Sequence, residues 1–335
     1  MNTTDKKTRI VQFNETGSAD VLKIEEIDLV EPKENEVRLK VEALGLNRAE
    51  VAYRSGQYLE KPKLPSRLGY EASGIVEAIG SKVTSVKVGD KVSTIPSFSM
   101  NDYGTYGETT IVPEHSVSHY PSSLSSIEAA GIWMPFITAY GGLIENGGLK
   151  TDDTVLITAA SSSVGFAAIA LTKIKGGIAI ATTRKENKKQ QLLDAGADHV
   201  IVTDTEDLVE RVMEITGNGA SIAFDPIGGP MIETLAKAAA PQAKIIEYGS
   251  LSGKPAEFPF GQLLQKRLHI QGYILLDIST DPEKLKPARE FVYNALENGK
   301  LKPTIDKVFD FEDIVKAHEY MESNQQLGKI IVKVS

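Results

Sequence analysis

The chain has 335 residues, a formal net charge of −8, 41% hydrophobic and 24% charged residues, and no cysteine. This length suffices for two domains with separate cores, and the absence of cysteine excludes disulfides, iron–sulfur clusters and thiolate zinc sites. Because the cations are dispersed and the net charge is negative, nucleic acid is not expected as a main partner. No apolar targeting segment opens the chain, and no apolar run approaches the roughly 20 residues of a membrane span. We therefore expect a cytoplasmic protein with no membrane partner.

The first block of the chain, up to about residue 125, is rich in short strand patterns and turns. Residues 37–43 alternate between apolar and polar side chains, and residues 74–80 are a mostly apolar segment, interrupted by Glu77, between two glycines. Such patterns are typical of antiparallel strands with one buried face. They predict a barrel-like β domain. His115 and His119 lie four residues apart in an extended-looking stretch, so we expect surface histidines and no metal site.

From about residue 126 to residue 270, strand and helix patterns alternate. The predicted strands are Val155–Thr158, Ile178–Thr182, His199–Val202, Ser221–Phe224, Lys244–Glu247 and His269–Gln271, with helices between them. Strands that alternate with helices form a doubly wound parallel sheet. The segment after residue 280 is predicted to return to the first domain. The sequence thus predicts an α/β protein in which residues 1–125 and 275–335 form one domain and residues 126–274 a second.

A turn of small residues follows the strand that begins this second domain. It leads through Ser161–Ser163 into a helical pattern that starts near Val164. Free backbone amides and the helix dipole at such a turn favour an anion, usually a dinucleotide pyrophosphate. Of the usual G-x-G-x-x-G fingerprint only Gly165 is present, where helix and strand pack closely. We therefore predict that Ser161, Ser162, Ser163, Val164 and Gly165 bind a cofactor; a turn without a ligand is the alternative.

The second strand of this domain ends without an acidic residue. An NAD-type site places Asp or Glu there, roughly 20 residues after the turn, on the ribose 2′-hydroxyl. Here the strand runs into Thr183, Arg184, Lys185 and Lys188. A guanidinium and an ammonium suit a 2′-phosphate, so Thr183, Arg184 and Lys188 predict NADPH as the cofactor. The alternative is a solvated helix start whose charges serve solubility.

Seven short segments, taken in chain order, carry a family resemblance. They are residues 45–50, 54–58, 69–74, 88–92, 159–165, 225–229 and 328–332. With them, nearly the whole chain resembles the medium-chain dehydrogenase/reductase superfamily, in particular its zinc-free quinone oxidoreductase (ζ-crystallin-like) branch. The resemblance implies a GroES-like catalytic domain and a Rossmann NADP-binding domain. In zinc-dependent relatives a cysteine stands at the position of Asn47 and a histidine at that of Tyr70, so the resemblance implies no metal here.

Without zinc, a pocket cannot easily strip the proton from an alcohol, but it can direct hydride to an activated acceptor. The resemblance therefore implies NADPH-dependent reduction of a quinone or an α,β-unsaturated carbonyl. Asn47 can donate to a carbonyl oxygen or to the nicotinamide ribose, and Tyr58 matches the proton donor of related enoyl-thioester reductases. Quinone oxidoreductases often have a tyrosine at the position of Ala52, and here Tyr53 follows it instead. The candidate catalytic residues are therefore Asn47, Tyr58 and Tyr53.

Further cofactor contacts are expected elsewhere. Tyr248, Gly249 and Ser250 follow the fifth strand, at the edge where open α/β sheets bind ligands. The resemblance adds Thr138, Asn324 and Lys329, although Thr138 can bond its own helix and Lys329 can equally be solvated.

The resemblance also bears on assembly and on alternative functions. Relatives pair their sixth strand, here near His269–Tyr273, across a two-fold axis, which implies a homodimer. An enoyl-thioester reductase and a non-catalytic NADPH-binding protein remain as alternative functions.

Overall fold

The computed structural model describes residues 6–335, which divide into two compact units. Unit 1 comprises the described residues up to Met134 together with Ile305–Ser335, and unit 2 comprises Pro135–Thr304. Residues 1–5 of the predicted first domain lie outside the described residues.

Both domain boundaries differ from the predicted ones. The first lies after residue 134 and not after 125, because Ala130 packs with Ala43 and Ile331 in a small core cluster of unit 1. The second lies after residue 304 and not after 274, because Phe291 packs against Tyr140 of unit 2 with ring centroids 5.3 Å apart. Only the segment after residue 304 therefore returns to unit 1, whereas the sequence analysis predicted that the return begins at residue 275.

The strands are β1 (Lys7–Phe13), β2 (Lys23–Asp28), β3 (Glu36–Gly45), β4 (Ser66–Arg67), β5 (Glu71–Ile79), β6 (Lys91–Thr94), β7 (Thr109–Pro113), β8 (Val117–His119), β9 (Thr154–Ile157), β10 (Ile178–Thr183), β11 (His199–Val202), β12 (Ala220–Asp225), β13 (Ala239–Glu247), β14 (His269–Gly272), β15 (Ile305–Asp310) and β16 (Lys329–Lys333). The α-helices are α1 (Arg48–Arg54), α2 (Ser126–Ala129), α3 (Trp133–Ala139), α4 (Ser163–Ile174), α5 (Lys189–Asp194), α6 (Leu208–Thr216), α7 (Met231–Ala238), α8 (Phe260–Lys266), α9 (Leu276–Ser279), α10 (Pro282–Glu297) and α11 (Ile314–Glu322).

Unit 1 is built on two β-sheets. The smaller has the strand order β2-β1-β4, and the larger has the order β15-β16-β3-β5-β6-β8, with β7 also paired to β3. Strand β3 pairs antiparallel with β5, β7 and β16. Its alternate residues Val37, Leu39 and Val41 are buried in the core of the unit. The alternation in the sequence therefore predicted the buried face of this strand correctly.

Unit 2 contains one six-stranded sheet in the order β11-β10-β9-β12-β13-β14, and every pairing in it is parallel. The doubly wound fold is thereby confirmed. The strand order reverses between β9 and β12, so the carboxyl ends of these strands border the crevice that binds ligands in such sheets. Strand β13 begins at Ala239 and not at Lys244. Strand β14 lies at the edge of the sheet, as predicted.

Candidate active site

In unit 2, the turn between β9 and α4 has the features of an anion site. The Ser162 hydroxyl caps the helix by accepting a hydrogen bond from the amide of Gly165 at 3.1 Å. The amides of Ser163 and Val164 lie in the first helical turn, where no partner within the helix exists. These amides and the dipole of the 12-residue helix α4 favour a bound anion. The local chain thus places the five residues 161–165 together at the start of α4.

Gly165 leaves no space for a side chain. A Cβ built on it would lie 2.3 Å from the carbonyl oxygen of Ala160 and 2.5 Å from its Cα atom. Both are backbone atoms, so neither can move aside cheaply. The helix therefore packs directly on the turn, which is the role that the sequence predicted for this glycine.

Cationic side chains surround the end of β10. Thr183, the last residue of the strand, is buried, whereas Arg184 is exposed. Lys188 is 9% exposed, and its Nζ donates to the Ser161 hydroxyl at 3.4 Å. The fold therefore brings a predicted phosphate ligand to the turn that begins α4. The neighbouring Lys185 forms an ion pair with Asp204 at 3.0 Å.

The residues after β13 reach the same edge of the sheet. The Tyr248 ring stacks on Phe224 of β12 with centroids 4.0 Å apart. Its hydroxyl is buried beside Ser162, and burial raises the pKa of Tyr248 well above its usual value. Gly249 and Ser250 are exposed. The contact of these three residues with a cofactor stays a prediction.

Two carboxylates at this edge were not predicted. Asp225 ends β12, Glu247 ends β13, and the two are paired across the parallel strands. Burial and the neighbouring Asp225 raise the pKa of Glu247 to about 8. A signal was available in the sequence, because neighbouring parallel strands that end in acids bring those acids to one edge.

Two further residues were predicted from the resemblance alone. Thr138 is buried in the part of α3 that belongs to unit 2, just before a π-helical turn over Tyr140–Asn146. In unit 1, Asn324 is exposed, and its side-chain oxygen accepts a hydrogen bond from Arg48 at 2.6 Å. Their contact with a cofactor stays a prediction.

In unit 1, Asn47 is the N-cap residue immediately before α1 and lies within a buried polar network. Its side-chain nitrogen lies 3.2 Å from each of three acceptors: the Gly45 carbonyl, Glu50 Oε1 and Glu71 Oε2. Its oxygen accepts from Lys329 Nζ at 2.6 Å. The two amide hydrogens therefore already face three acceptors of the protein. This geometry favours a positioning role for Asn47 over direct donation to a substrate.

Lys329 is fully buried and ion-paired with Glu71, each side chain being 1% exposed. The other Glu71 oxygen accepts from the backbone amide of Met134 at 2.9 Å. The alternative of a solvated Lys329 is therefore wrong, because the ammonium lies in the interior against Glu71 and Asn47. A buried ion pair with these additional hydrogen bonds fixes both partners in place.

Glu50 differs from the other members of this network because one of its buried carboxyl oxygens has no partner. It is fully buried, and its Oε1 accepts from Asn47 and from the backbone amide of Tyr70 at 3.1 Å. Its Oε2 has no hydrogen-bond partner. Burial raises the pKa of Glu50 to about 7, although the charge of Lys329 opposes the shift. This carboxyl can therefore carry a proton near neutral pH.

The two candidate tyrosines have different surroundings. Tyr53 is completely buried, and its hydroxyl is engaged with Ser66 at 2.8 Å and Asn101 at 2.9 Å. Tyr58 is half-buried, and its hydroxyl accepts from Tyr70 at 3.4 Å, which leaves its own hydrogen available. Burial raises the pKa of Tyr58, so it keeps its proton at neutral pH. The placement favours a structural role for Tyr53 and a donor role for Tyr58.

The loop that carries Tyr58 is tied down by Glu60 and Asn101. Glu60 accepts from the amide of Met100 and the side chain of Asn101, both at 3.0 Å. Asn101 in turn accepts from the amide of Lys63 at 2.7 Å. These bonds fix both sides of the segment that follows Tyr58.

Comparisons with known proteins agree with this arrangement. Residues 33–122 match the alcohol dehydrogenase GroES-like domain family, and residues 163–293 match the zinc-binding dehydrogenase family. A quinone oxidoreductase of Pseudomonas aeruginosa is 30% identical over 324 residues, covering 96% of this chain and 98% of the relative.

Solved structures are similar over nearly the whole chain. The Escherichia coli quinone oxidoreductase complexed with NADPH has a TM-score of 0.89 at 29% identity, covering 97% of this chain and 100% of that one. A structure described as an NAD-dependent alcohol dehydrogenase has a TM-score of 0.88 at 28% identity, with coverage of 98% and 100%.

The fold and these sites define a medium-chain dehydrogenase/reductase with a GroES-like and a Rossmann domain, an oxidoreductase with a nicotinamide cofactor. Within that superfamily the chain belongs to the quinone oxidoreductase branch, which confirms the predicted family.

The zinc ion implied by one family description does not fit the residues present. Asn47 Oδ1 and Glu71 Oε2 both bind the Lys329 ammonium, and a second cation at those oxygens would be repelled by it. The Tyr70 hydroxyl donates to Tyr58 and supplies no metal ligand of the histidine type. Across residues 6–335, no group of three or more His, Cys, Asp or Glu side chains is arranged to hold a metal. Over the same residues, no helix is long and apolar enough to cross a membrane.

Proposed function

We propose that this protein is an NADPH-dependent, zinc-free oxidoreductase that reduces quinones or α,β-unsaturated carbonyl compounds. The observation that carries the proposal is the buried Asn47–Glu71–Lys329 network, because Asn47 stands where the zinc-dependent branch of the superfamily has a cysteine ligand. Without a Lewis acid, an alkoxide is poorly stabilised, whereas a conjugated carbonyl spreads the arriving charge onto its own oxygen.

The cofactor would be held by unit 2. The first amides of α4 and the capped turn would receive the pyrophosphate, and Gly165 would keep the backbone close to it. Arg184 and Lys188 would bind the 2′-phosphate, Arg184 as a planar fork and Lys188 as a point charge. When bound, the nicotinamide supplies the hydride. Thr183, Tyr248, Gly249, Ser250, Thr138, Asn324 and Lys329 remain proposed contacts or supports of this cofactor.

Tyr58 would donate a hydrogen bond to the substrate carbonyl oxygen. Tyr70 donates to the Tyr58 hydroxyl and thereby orients its hydrogen away from Tyr70. The raised pKa of Tyr58 keeps it protonated, which suits a donor to a developing enolate. Asn47 would not contact the substrate but would position the start of α1.

The cofactor preference can be tested with Arg184→Ala. A charged hydrogen bond is worth roughly 1.5–3 kcal/mol, so NADPH should bind about 10- to 100-fold more weakly while NADH is almost unaffected. Lys185→Ala is the matched control, because this neighbouring cation is already paired with Asp204. Titrations in which the wild type binds NADH more tightly than NADPH would refute the proposal that the residues after β10 bind the 2′-phosphate.

The substrate class can be tested by following loss of NADPH absorbance with a panel of acceptors. The panel contains a benzoquinone, a cyclic enone and an enoyl-CoA thioester, with a primary alcohol and NADP⁺ assayed in reverse. We expect turnover with the quinone or the enone. Selective turnover of the thioester would support the enoyl-thioester reductase alternative. Tight NADPH binding without turnover of any acceptor would support the non-catalytic alternative.

The donor role can be tested with Tyr58→Phe against Tyr53→Phe. Removing a positioned proton donor should lower kcat by about 100-fold or more. Tyr53→Phe should instead lower the melting temperature and leave kcat nearly unchanged, because its hydroxyl bonds inside the core. Equal effects of the two variants on kcat would contradict the assignment.

A homodimer through β14 is also proposed. This strand lies at the sheet edge, and its residues His269, Gln271 and Gly272 are exposed. An exposed edge invites pairing with a second copy. Light scattering at micromolar concentration should give the mass of two chains, and the mass of one chain would count against the pairing.

A further inference from the structure

The carboxyl pair at the ends of β12 and β13, Asp225 and Glu247, combines burial with an incomplete set of hydrogen-bond donors. Asp225 is fully buried, and its two oxygens accept from the Thr158 hydroxyl and from the amide of Gly228 at 2.7 Å. Glu247 Oε1 is buried without a hydrogen-bond partner. Within residues 6–335, neither carboxyl forms an ion pair with a lysine, arginine or histidine. Two such neighbours cannot both ionise without a large cost.

No hydrogen-bond donor of the described residues reaches Glu247 Oε1, so a proton on one of the two carboxyls is the remaining way to pair it. A hydrogen bond between two carboxyls requires one of them to be protonated. The donors at Asp225 are already assigned to Thr158 and Gly228, and Glu247 receives none at its buried oxygen. A single proton held between the two groups would satisfy this oxygen and remove one of the two charges.

The pair borders the segments expected to hold the dinucleotide. Thr158, which donates to Asp225, lies immediately before the turn that begins α4. Tyr248, the residue after Glu247, has its buried hydroxyl near Ser162, the cap of α4. Asp225 is therefore bonded to the residue before the α4 turn, and Glu247 immediately precedes the residue whose hydroxyl lies near the α4 cap. A second negative charge here would repel the anionic pyrophosphate through the low-dielectric interior.

We propose that Glu247 holds one proton beside the Asp225 carboxyl and that this proton is required for tight binding of the dinucleotide, so that Glu247 is an affinity-determining residue of the cofactor site. The inference rests on the proposed cofactor function of unit 2. It goes beyond that function by assigning a role to a carboxyl that is not itself a phosphate ligand.

The groups that face Glu247 leave Asp225 as its dominant electrostatic neighbour. On its own strand the next titratable group is Tyr248, whose pKa is raised by burial, so it stays neutral. Tyr273, the residue after the neighbouring strand β14, donates its amide to the Glu247 carbonyl, and its hydroxyl donates to the carbonyl of Ile137 at 3.3 Å. The turn after β9 contributes the hydroxyls of Thr158 and Ser162, Lys188 donates to the Ser161 hydroxyl of the same turn, and Lys254, on the loop after β13, is exposed.

The direction of the pH effect follows from burial and from Asp225, which together raise the pKa of Glu247 to about 8. Below this pH the pair holds its proton and the dinucleotide binds tightly. Above this pH the pair loses its proton, and the protein must take up a proton again when the dinucleotide binds. The dissociation constant should then rise towards about tenfold per pH unit.

The test measures the dissociation constants of NADPH and NADH by calorimetry from about pH 6.5 to about pH 9.5, a range that brackets the expected pKa. Wild type should bind both with a constant affinity below about pH 8 and progressively more weakly above it. Glu247→Gln, which cannot lose a proton, should bind with a nearly flat profile. Glu257→Gln, an exposed carboxyl of the same unit, should behave like the wild type. If the dissociation constant changes with pH equally in the wild type and in Glu247→Gln, the inference is overturned.

Proton uptake gives a second measurement that needs no variant. Calorimetry in two buffers of different ionisation enthalpy should show uptake of about one proton per NADPH bound at about pH 9, and almost none at about pH 7. No uptake at the higher pH would overturn the inference while leaving NADPH binding, and the proposed function, intact. Failure of both dinucleotides to bind at every pH would refute the proposed function together with this inference.

Discussion

Replacement of Glu50 by Gln should change how the stability of unit 1 depends on pH. Glu50 is fully buried, and its pKa rises from 4.5 to about 7, chiefly because of burial. A carboxyl whose pKa is raised by folding stabilises the protein below its unfolded pKa, and this contribution is lost as the pH rises through the folded value. The gap between the two values corresponds to a loss of about 3 kcal/mol between about pH 4.5 and about pH 8.

Glutamine has nearly the same shape as the protonated acid but has no proton to lose. Its carbonyl can accept from Asn47 and Tyr70 as Glu50 Oε1 does, which leaves its amide at the unpartnered Oε2 position at a cost of about 1 kcal/mol. Glu50→Gln should therefore be slightly less stable than the wild type at low pH. Above about pH 8 it should be more stable by about 2 kcal/mol, because only the wild type loses the contribution of the protonated acid.

Trp133 provides the assay, since it is the single tryptophan of the chain and lies in unit 1 with Glu50. It is buried, with its indole N–H donating to Ser93 at 2.8 Å, so its fluorescence reports unfolding of this unit. Urea unfolding would be followed across the pH range for wild type, Glu50→Gln and the exposed control Glu15→Gln. A stability difference between wild type and Glu50→Gln that stays constant with pH would refute the reasoning. It would mean that Lys329 keeps Glu50 ionised throughout.

Two further substitutions probe packing and charge. Gly165→Ala should destabilise unit 2 by about 1–3 kcal/mol and weaken NADPH binding, because its Cβ would overlap the Ala160 backbone. Gly261→Ala, where nothing lies within 4 Å of the added Cβ, should do neither, and thermal unfolding with NADPH titration compares them. Lys329→Met should cost about 3–5 kcal/mol by leaving the Glu71 carboxylate buried and unpaired. Adding Glu71→Gln should restore part of that loss in urea unfolding, and a purely additive double variant would argue against the ion pair.

The sequence by itself determined the α/β class, the parallel order of unit 2 and the family. These features are written in local patterns: alternation along β3, alternating strands and helices after residue 126, and a small-residue turn before α4. Gly165 was also predictable, because close packing of a helix on a strand leaves no room for a side chain. Such signals need only neighbouring residues, so no knowledge of distant contacts is required.

Only the tertiary structure decided which polar side chains work together. Asn47 and Lys329 lie 282 positions apart, and nothing local to either indicates that one binds the other in the interior. The resemblance distinguished Tyr58 from Tyr53 only by position, and the structure adds that Tyr53 of α1 is buried in the core whereas Tyr58 is half-buried. The acids that end β12 and β13 could be found in the sequence, but their pairing in register and their burial could not. In each case the deciding quantity is burial, which sets both the partner and the pKa and which the whole fold determines.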